Sequence, residues 1–211
     1  MRASRRRPGN RIVRGRAWLL TLMTAFLALA GCSSGDDGAD SGQSAEEELQ
    51  GVPDLTDCPD PTGQPATGEQ TLPALSLPCL DAGGGDLTLG EAPGVPLVLN
   101  LWATWCRPCI EELPLFEDLH LAADPMQLRV IGVNSRDSAS FAADLIEELD
   151  LTFPNGFDDN GDVMVAALVR NLPGTVFVDA DGAVAFVKRD KVIATYAELV
   201  ALVQEHLGVT V

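Results

Sequence analysis

The sequence predicts an α/β domain with a central mixed β-sheet flanked by helices and preceded by an N-terminal extension. Residues 95–102 and 128–133 are near-continuous apolar runs, the pattern of strands buried on both faces of a sheet. A segment with helical periodicity lies between them, which indicates a crossover connection. Near the C-terminus, an Asp-Ala-Asp-Gly turn at residues 179–182 separates two short apolar segments, which is typical of an antiparallel hairpin.

The elements are predicted in the order β-α-β-α-(α)-β-β-α. The first strand, within residues 95–102, leads into a helix over 106–121. Pro114 lies inside that helix and predicts a kink, because proline lacks a backbone donor. A second strand covers 128–133, and apolar residues at helical spacing then predict a helix over 141–149.

The C-terminal elements complete the domain, which is predicted to cover residues 72–211. A short helix is predicted over 163–169. Residues 175–178 and 184–187 form the hairpin strands, and an amphipathic helix over 196–207 closes the chain.

The first 31 residues have the composition of an export signal. They hold seven Arg and no acidic residue, and residues 17–30 form an uncharged run of 14 residues. That run is short for a membrane span but suits the apolar core of a secretory signal. Residues 29–32 (Leu-Ala-Gly-Cys) resemble the bacterial lipobox, in which the Cys is acylated and becomes the first mature residue. Cys32 is therefore the expected lipidation site, and an ordinary cleaved signal with an incidental Cys is the alternative.

Residues 32–71 are predicted to form an acidic tether and arm rich in Gly, Ser and Pro. Residues 33–51 hold one Leu and no aromatic residue, too little apolar surface to fold. Beyond residue 31 the chain carries seven basic and 31 acidic side chains, a formal net charge of −24. The negative electrostatic potential of such a chain opposes binding to nucleic acid and to anionic lipids, so membrane attachment must be hydrophobic or covalent. No apolar run of about 18 residues follows residue 31, which excludes a polytopic membrane protein.

The clearest chemical signal is the Cys-x-x-Cys pair of Cys106 and Cys109, placed where a buried strand leads into a helix. Unpaired N–H groups and the macrodipole at a helix N-terminus stabilise a thiolate. The second Cys lies one turn along, within disulfide reach. Cys106 is therefore predicted to be the exposed attacking thiol and Cys109 the recessed resolving thiol. Pro108 suits the first helical turn, and Arg107 adds a cation that favours the Cys106 thiolate.

Two other roles for this pair fit the sequence less well. A zinc site needs a second Cys pair or His ligands at suitable spacing, but the only His are His120 and His206. A purely structural disulfide would close a four-residue loop, which stabilises little. No metal and no cofactor are therefore expected.

The motif sequences resemble those of a known family. Residues 97–114 (LVLNLWATWCRPCIEELP) and 172–175 (LPGT) are similar to the thioredoxin-like core of the TlpA/ResA/DsbE group of exported thiol-disulfide oxidoreductases. The resemblance covers about residues 72–211 and implies a thioredoxin-like fold.

The resemblance also implies a substrate-binding surface. Pro173 would be cis and face the Cys-x-x-Cys motif, and the backbone of Leu172 would hydrogen-bond an extended substrate segment. Trp105 would form part of an apolar rim that contacts substrate. Arg107 and Pro108, between the two cysteines, complete the predicted surface.

One position departs from the thioredoxin pattern. Thioredoxins carry a buried Asp six residues before the first Cys, as a proton acceptor for the recessed thiol, whereas this chain has Asn100. Glu112 matches a Glu at the same place in the family and is one candidate replacement. A solvated helix carboxylate is the alternative interpretation of Glu112.

Cys58 and Cys79 remain after the redox pair and Cys32 are assigned. In an exported chain they are expected to form a structural disulfide that ties the arm to the domain. A second redox pair is the alternative, but neither Cys has a helix N-terminus or a charged neighbour to activate it.

The predicted function is that of a protein disulfide oxidoreductase, lipid-anchored on the outer face of the cytoplasmic membrane and monomeric. The expected partners are exported thiol or disulfide proteins and a membrane electron donor or acceptor. The resemblance adds apocytochromes awaiting haem attachment, hence a role in cytochrome c maturation. The alternatives are a thiol peroxidase, which has Thr where this chain has Ala103, a copper-binding assembly factor, which uses Cys-x-x-x-Cys, and a passive lipoprotein.

Overall fold

The computed structural model describes residues 51–189 and 191–211, so the predicted signal, Cys32 and the first part of the tether lie outside the described residues. The strands in this part of the chain are β1 (Leu75–Pro78), β2 (Asp86–Leu89), β3 (Leu97–Trp102), β4 (Arg129–Ser135), β5 (Asn155–Asp158), β6 (Gly174–Val178) and β7 (Val184–Arg189). The helices are α1 (Arg107–Ala122), α2 (Ala139–Glu148), α3 (Asp162–Ala166) and α4 (Tyr196–Leu207). None of these helices has the length and apolar character that a membrane span requires.

Five strands form one mixed sheet in the order β5-β4-β3-β6-β7, and β1 and β2 form a separate antiparallel pair. β3, β4 and β5 run parallel, whereas β6 is antiparallel to both β3 and β7. The register places Leu99 opposite Ile131 on one side and Val176 on the other. The predicted α/β class with a central mixed sheet is therefore confirmed.

The sheet is covered on both faces, because each face of its central strand is apolar. Every residue of β3 is buried. The core on one face includes Trp102 and Phe116, with α1, α2 and α4 packed against it. The core on the other face includes Leu99 and Ile131, together with side chains from the β1–β2 hairpin and α3. Burial on both faces explains why β3 reads as a continuous apolar run.

Three strands are absent from the predicted order: β1, β2 and β5, each of four residues. β1 and β2 pair with each other as a local hairpin, and both pack against β5, which is distant in sequence. α1 continues on both sides of Pro114. The predicted short helix over 163–169 is wrong at its C-terminal end, since α3 stops at Ala166 and Leu168 has a positive φ.

The described part of the arm, residues 51–71, packs on the domain. Val52 and Leu55 are buried. The Val52 N–H donates to the Leu80 carbonyl oxygen at 2.7 Å, and the Thr56 N–H donates to that of Thr152 at 2.8 Å. Packing therefore begins before residue 72, where the predicted domain starts.

Candidate active site

Cys106 and Cys109 are joined by a disulfide at the start of α1, with a Cα–Cα distance of 5.3 Å. Cys106 is the N-cap residue of the helix, and its Sγ accepts a hydrogen bond from the Cys109 N–H at 3.3 Å. No acidic side chain lies in the first turn of α1. Cys106 therefore lies at the helix N-terminus, where a thiolate in the reduced protein would be stabilised.

Cys106 is less accessible than predicted. Only 4% of Cys106 is exposed, against 0% of Cys109. The order of exposure agrees with an attacking Cys106 and a resolving Cys109, but both sulfurs lie within the core cluster on the α1 face of the sheet.

Arg107 and Pro108 occupy the first two positions of α1. Pro108 costs no hydrogen bond there, because the first N–H groups of a helix have no partner within it. The Arg107 side chain is 90% exposed, and its Nε lies 3.2 Å from Oε1 of Glu111. The predicted stabilisation of a Cys106 thiolate by Arg107 is therefore weakened, since Arg107 is paired with the Glu111 carboxylate and solvent screens its charge.

The loop before Cys106 is held by hydrogen bonds that it donates to residues following β4. The Thr104 N–H and hydroxyl donate to the Asp137 carboxylate at 2.5 and 2.7 Å. The Trp105 Nε1–H donates to the Arg136 carbonyl oxygen at 3.0 Å, and 61% of Trp105 is exposed. The indole next to Cys106 is therefore fixed in orientation while its apolar surface faces solvent.

Sequence reasoning missed Arg136 and Asp137. Their only local signal is a polar run, Ser-Arg-Asp-Ser at residues 135–138, directly after a buried strand. The carboxyl ends of parallel strands lie at the same edge of a sheet, so the β3–α1 and β4–α2 connections are neighbours.

The Leu172–Pro173 peptide bond is cis, as the resemblance implies. The next residue, Gly174, begins β6 and is paired with Leu101 of β3. The cis bond therefore lies at the edge of the sheet where β3 ends and the Cys106 loop begins. Leu172 is half-buried and packs against the cores on both faces of the sheet.

A buried carboxyl lies below the disulfide on α1. Glu112 is 1% exposed, so its interpretation as a solvated helix carboxylate is wrong. Its Oε1 accepts from Asn100 Nδ2 at 2.9 Å, and its Oε2 accepts from the Ile193 N–H at 3.0 Å. Burial raises the pKa of Glu112 to about 7, against the lowering effect of these two hydrogen bonds.

Asn100 and Glu112 therefore form a hydrogen-bonded pair. Asn100 cannot titrate, but it holds the carboxyl that can. Glu112 lies three residues, almost one turn, past Cys109 on the same helix. A carboxyl with a pKa near neutrality is suited to accepting a proton from a thiol and returning it.

Cys58 and Cys79 are also joined by a disulfide, with a Cα–Cα distance of 6.3 Å. The Cys58 N–H donates to Asp81 Oδ2 at 3.1 Å. The two sulfurs and an Asp81 carboxylate oxygen lie within 4.8 Å of one another, a set that could ligate a metal ion. With the sulfurs bonded to each other there is no thiolate to bind a metal, and the Asp81 Oδ1 accepts from Gly83 and Gly84 N–H groups.

Proteins with similar sequences include thiol-disulfide oxidoreductases. The chain is 33% identical over 94 residues to the thiol-disulfide oxidoreductase ResA of Oceanobacillus iheyensis, a match that covers 44% of this chain and 49% of that protein. The chain therefore spans about half the length of this curated relative.

Two solved structures share the fold. A secreted disulfide oxidoreductase of Mycobacterium tuberculosis, homologous to DsbE of E. coli, has a TM-score of 0.54 at 24% identity, covering 63% of this chain and 96% of that one. The exposed lipoprotein thioredoxin Etrx1 of Streptococcus pneumoniae has a TM-score of 0.54 at 21% identity, covering 63% and 99%. At these identities the likeness shows a thioredoxin-like fold.

A family model, described as the AhpC/TSA family, matches residues 69–187. This range includes β1 to β6, the Cys106–Cys109 disulfide, Glu112 and the cis bond before Pro173. The match extends over more than half of the 211 residues and includes β3 and α1, the elements on either side of the Cys106 loop. The chain belongs to the AhpC/TSA family.

Proposed function

We propose that this protein is a thiol-disulfide oxidoreductase of the ResA/DsbE type that exchanges disulfides with exported proteins. The observation that carries the proposal is the Cys106–Cys109 disulfide at the N-terminus of α1, at the same edge of the sheet as the cis bond before Pro173. The names of the similar proteins support the same activity.

The exchange proceeds in two steps from the reduced protein. The Cys106 thiolate attacks one sulfur of a substrate disulfide, forming a mixed disulfide and releasing the other substrate sulfur as a thiolate that takes up a proton. Cys109 then loses its proton and attacks the Cys106 sulfur, which forms the protein disulfide and releases the second substrate sulfur. Glu112 is the buried group on α1 suited to hold the proton from Cys109. Oxidation of a substrate dithiol is the same sequence in reverse.

A Cys109→Ser variant tests the assignment of the two sulfurs. Without the resolving thiol, the variant should accumulate a mixed disulfide between Cys106 and a model protein disulfide, detected by mass spectrometry under denaturing conditions. The matched Cys106→Ser variant should trap little, because Cys109 is fully buried. Equal trapping by both variants, or trapping through Cys109 alone, contradicts the proposal.

The reduction potential of the Cys106–Cys109 pair decides the direction of exchange. Titration against glutathione or dithiothreitol, with thiol trapping, gives the value. A potential near about −270 mV, that of thioredoxin, favours a reductant supplied by a membrane electron donor, and one near about −120 mV, that of DsbA, favours a disulfide donor. A pair that does not cycle removes the proposed function.

The proposal includes the location and the partners. Acylation of Cys32 would hold the domain on the outer face of the cytoplasmic membrane, and the lipobox-like sequence at residues 29–32 supports it. A secreted protein and an exposed lipoprotein among the solved structures share the fold. The substrates are exported thiol or disulfide proteins, which include apocytochromes if the pair acts as a reductant in cytochrome c maturation.

A further inference from the structure

Three helices of the described chain are followed by a residue in the left-handed backbone region. α4 is followed by Gly208 with φ 68°, α2 by Asp150 two residues on with φ 50°, and α3 by Leu168 two residues on with φ 55°. Glycine adopts this conformation without steric cost, and Asp tolerates it. Leucine at positive φ is strained, because its Cβ crowds the backbone.

The end of α3 is a Schellman motif with leucine where glycine is usual. The Val169 N–H donates to the Met164 carbonyl oxygen at 2.8 Å, and the Leu168 N–H donates to that of Val165 at 3.1 Å. Met164 and Val169 are buried, whereas Leu168 is 71% exposed. The strained residue therefore gains no compensating burial within the described chain.

The surrounding contacts fix Leu168 in this position. The Ala167 carbonyl oxygen accepts from Arg189 Nε at 3.1 Å and from Nη2 at 2.9 Å. On the other side, a Cβ added to Gly174 would lie 2.8 Å from Cγ1 of Val169. Gly174 directly follows the cis bond, so Leu168 is held close to the loop at the active-site edge of the sheet.

A path of hydrogen bonds joins α3 to the loop that precedes the redox pair. Trp105 Nε1–H donates to the Arg136 carbonyl oxygen, and Arg136 Nε–H donates to the Asn160 carbonyl oxygen at 3.2 Å. Asn160 lies two residues before α3. Trp105, Val165 and Leu168 are each more than 60% exposed. We call these three side chains the apolar rim.

We propose that Leu168 is a substrate-docking residue, which contacts an apolar side chain next to the cysteine of an extended polypeptide. The inference rests on the proposed function and deepens it, since it names the class of polypeptide favoured. One member of the rim, Trp105, directly precedes Cys106, and another, Leu168, lies five residues before Pro173, whose cis bond is at the same edge of the sheet. A second copy of the chain is the less suitable occupant, because self-association through the rim would cover the disulfide that must receive a substrate sulfur.

The test compares two peptides that differ only beside their cysteine. Each carries the cysteine as a mixed disulfide with glutathione, flanked either by Leu or by Ser. The reduced protein converts it to free peptide and free glutathione and is itself oxidised to the Cys106–Cys109 disulfide, which dithiothreitol reduces again, with the uncatalysed rate subtracted. Leu168→Asn removes the apolar side chain and keeps a residue that tolerates positive φ. We expect kcat/KM for the Leu-flanked peptide to fall about 5- to 20-fold, mainly through KM, with a much smaller fall for the Ser-flanked peptide.

Two control variants separate docking from general effects. Asp150→Gly changes the equivalent position after α2, and Leu121→Asn removes a side chain that is 69% exposed near the C-terminal end of α1. Both should leave the preference for the Leu-flanked peptide intact. Leu168→Asn should melt at the wild-type temperature or above, because Asn relieves the backbone strain. Leu168→Gly serves as a second variant with the same expectations if the Asn variant does not fold.

Several outcomes overturn the inference. Equal loss of kcat/KM on both peptides, or a lower melting temperature, assigns Leu168 to the fold and not to docking. A wild-type dimer in sedimentation that Leu168→Asn dissociates makes the rim an interface between copies. If the wild-type protein reduces neither peptide yet cycles with dithiothreitol, the proposed function on protein substrates fails and the inference fails with it.

Discussion

The carboxyl of Glu112 couples the stability of the fold to pH through a single residue. Burial raises its pKa from 4.5 to about 7, so the folded chain keeps a proton over a range in which the unfolded chain has released it. Since the folded state then binds more protons, this contribution to stability is full below about pH 4.5 and is lost as the pH rises to about 7. A shift of this size corresponds to on the order of 3 kcal/mol.

Glu112→Gln should remove this dependence. Gln offers one acceptor and one donor where the carboxylate accepts from Asn100 and Ile193, but Asn100 Oδ1 has no hydrogen-bond partner among the described residues. Rotation of the Asn100 amide would therefore let it accept from the new side chain. Melting temperatures from pH 4 to 8 check this: between pH 4.5 and 7 the wild-type protein should lose stability relative to the variant. Parallel curves would contradict the raised pKa.

The sequence predicts those residues of the site that belong to a motif of nearby residues. Cys106 and Cys109 are three residues apart at a strand–helix boundary, and the chemistry of a helix N-terminus follows from that placement. Glu112 is open to two interpretations in the sequence, since the Ile193 N–H that donates to its carboxylate is 81 positions away. Asp137 carries no motif, and its role follows only from the meeting of two strand ends.

At the scale of whole segments, the attachment of the arm to the domain depends on a disulfide bond. The Cys58–Cys79 disulfide joins residues 21 apart and ends directly after β1. Closing a loop of this length contributes about 3 kcal/mol in the chain-entropy model. Cys58→Ser should therefore lower the melting temperature by about 6–12 °C.

Disulfide exchange at Cys106 distinguishes the two roles considered for the Cys58–Cys79 pair. A Cys58→Ser variant with a lower melting temperature and a wild-type exchange rate, measured well below melting, fits a structural bond. A wild-type melting temperature combined with loss of exchange would assign Cys58 to the redox chemistry.

Elements with a long apolar pattern or a clear turn signal are predictable from the sequence, whereas β1, β2 and β5 are not. β3, β4 and α4 have apolar patterns of six residues or more, and the predicted range of α4 matches Tyr196–Leu207. β1, β2 and β5 have four residues each, too few to establish a period. Strand formation in such short segments depends on the neighbours they pack against, here the contacts of β1 and β2 with β5.

For the whole molecule, the formal charge of −24 beyond residue 31 opposes binding to anionic lipid, so the proposed membrane attachment rests on acylation of Cys32. A Cys32→Ser variant exported behind an ordinary cleaved signal, without residues 1–31, should lose membrane association, because the acidic chain has no electrostatic affinity for anionic lipid to replace the acyl chains. Fractionation of cells expressing this variant or the full chain measures this. Cys58→Ser, which keeps the lipidation site, is the matched control. Retention of Cys32→Ser on membranes would contradict the anchor.

The packed arm has a consequence for how neighbouring molecules meet. Sheet edges expose unpaired backbone groups that can recruit a strand from another chain. Here, the Leu80 N–H donates to the Asn155 carbonyl oxygen of edge strand β5 at 2.9 Å. At the opposite edge, the N–H of Val184 in β7 donates to the Gln70 carbonyl oxygen at 2.8 Å. The residue after Cys79 therefore covers part of one sheet edge and the arm covers part of the other. Reduction of the Cys58–Cys79 bond would be expected to loosen this cover and to favour edge-to-edge self-association.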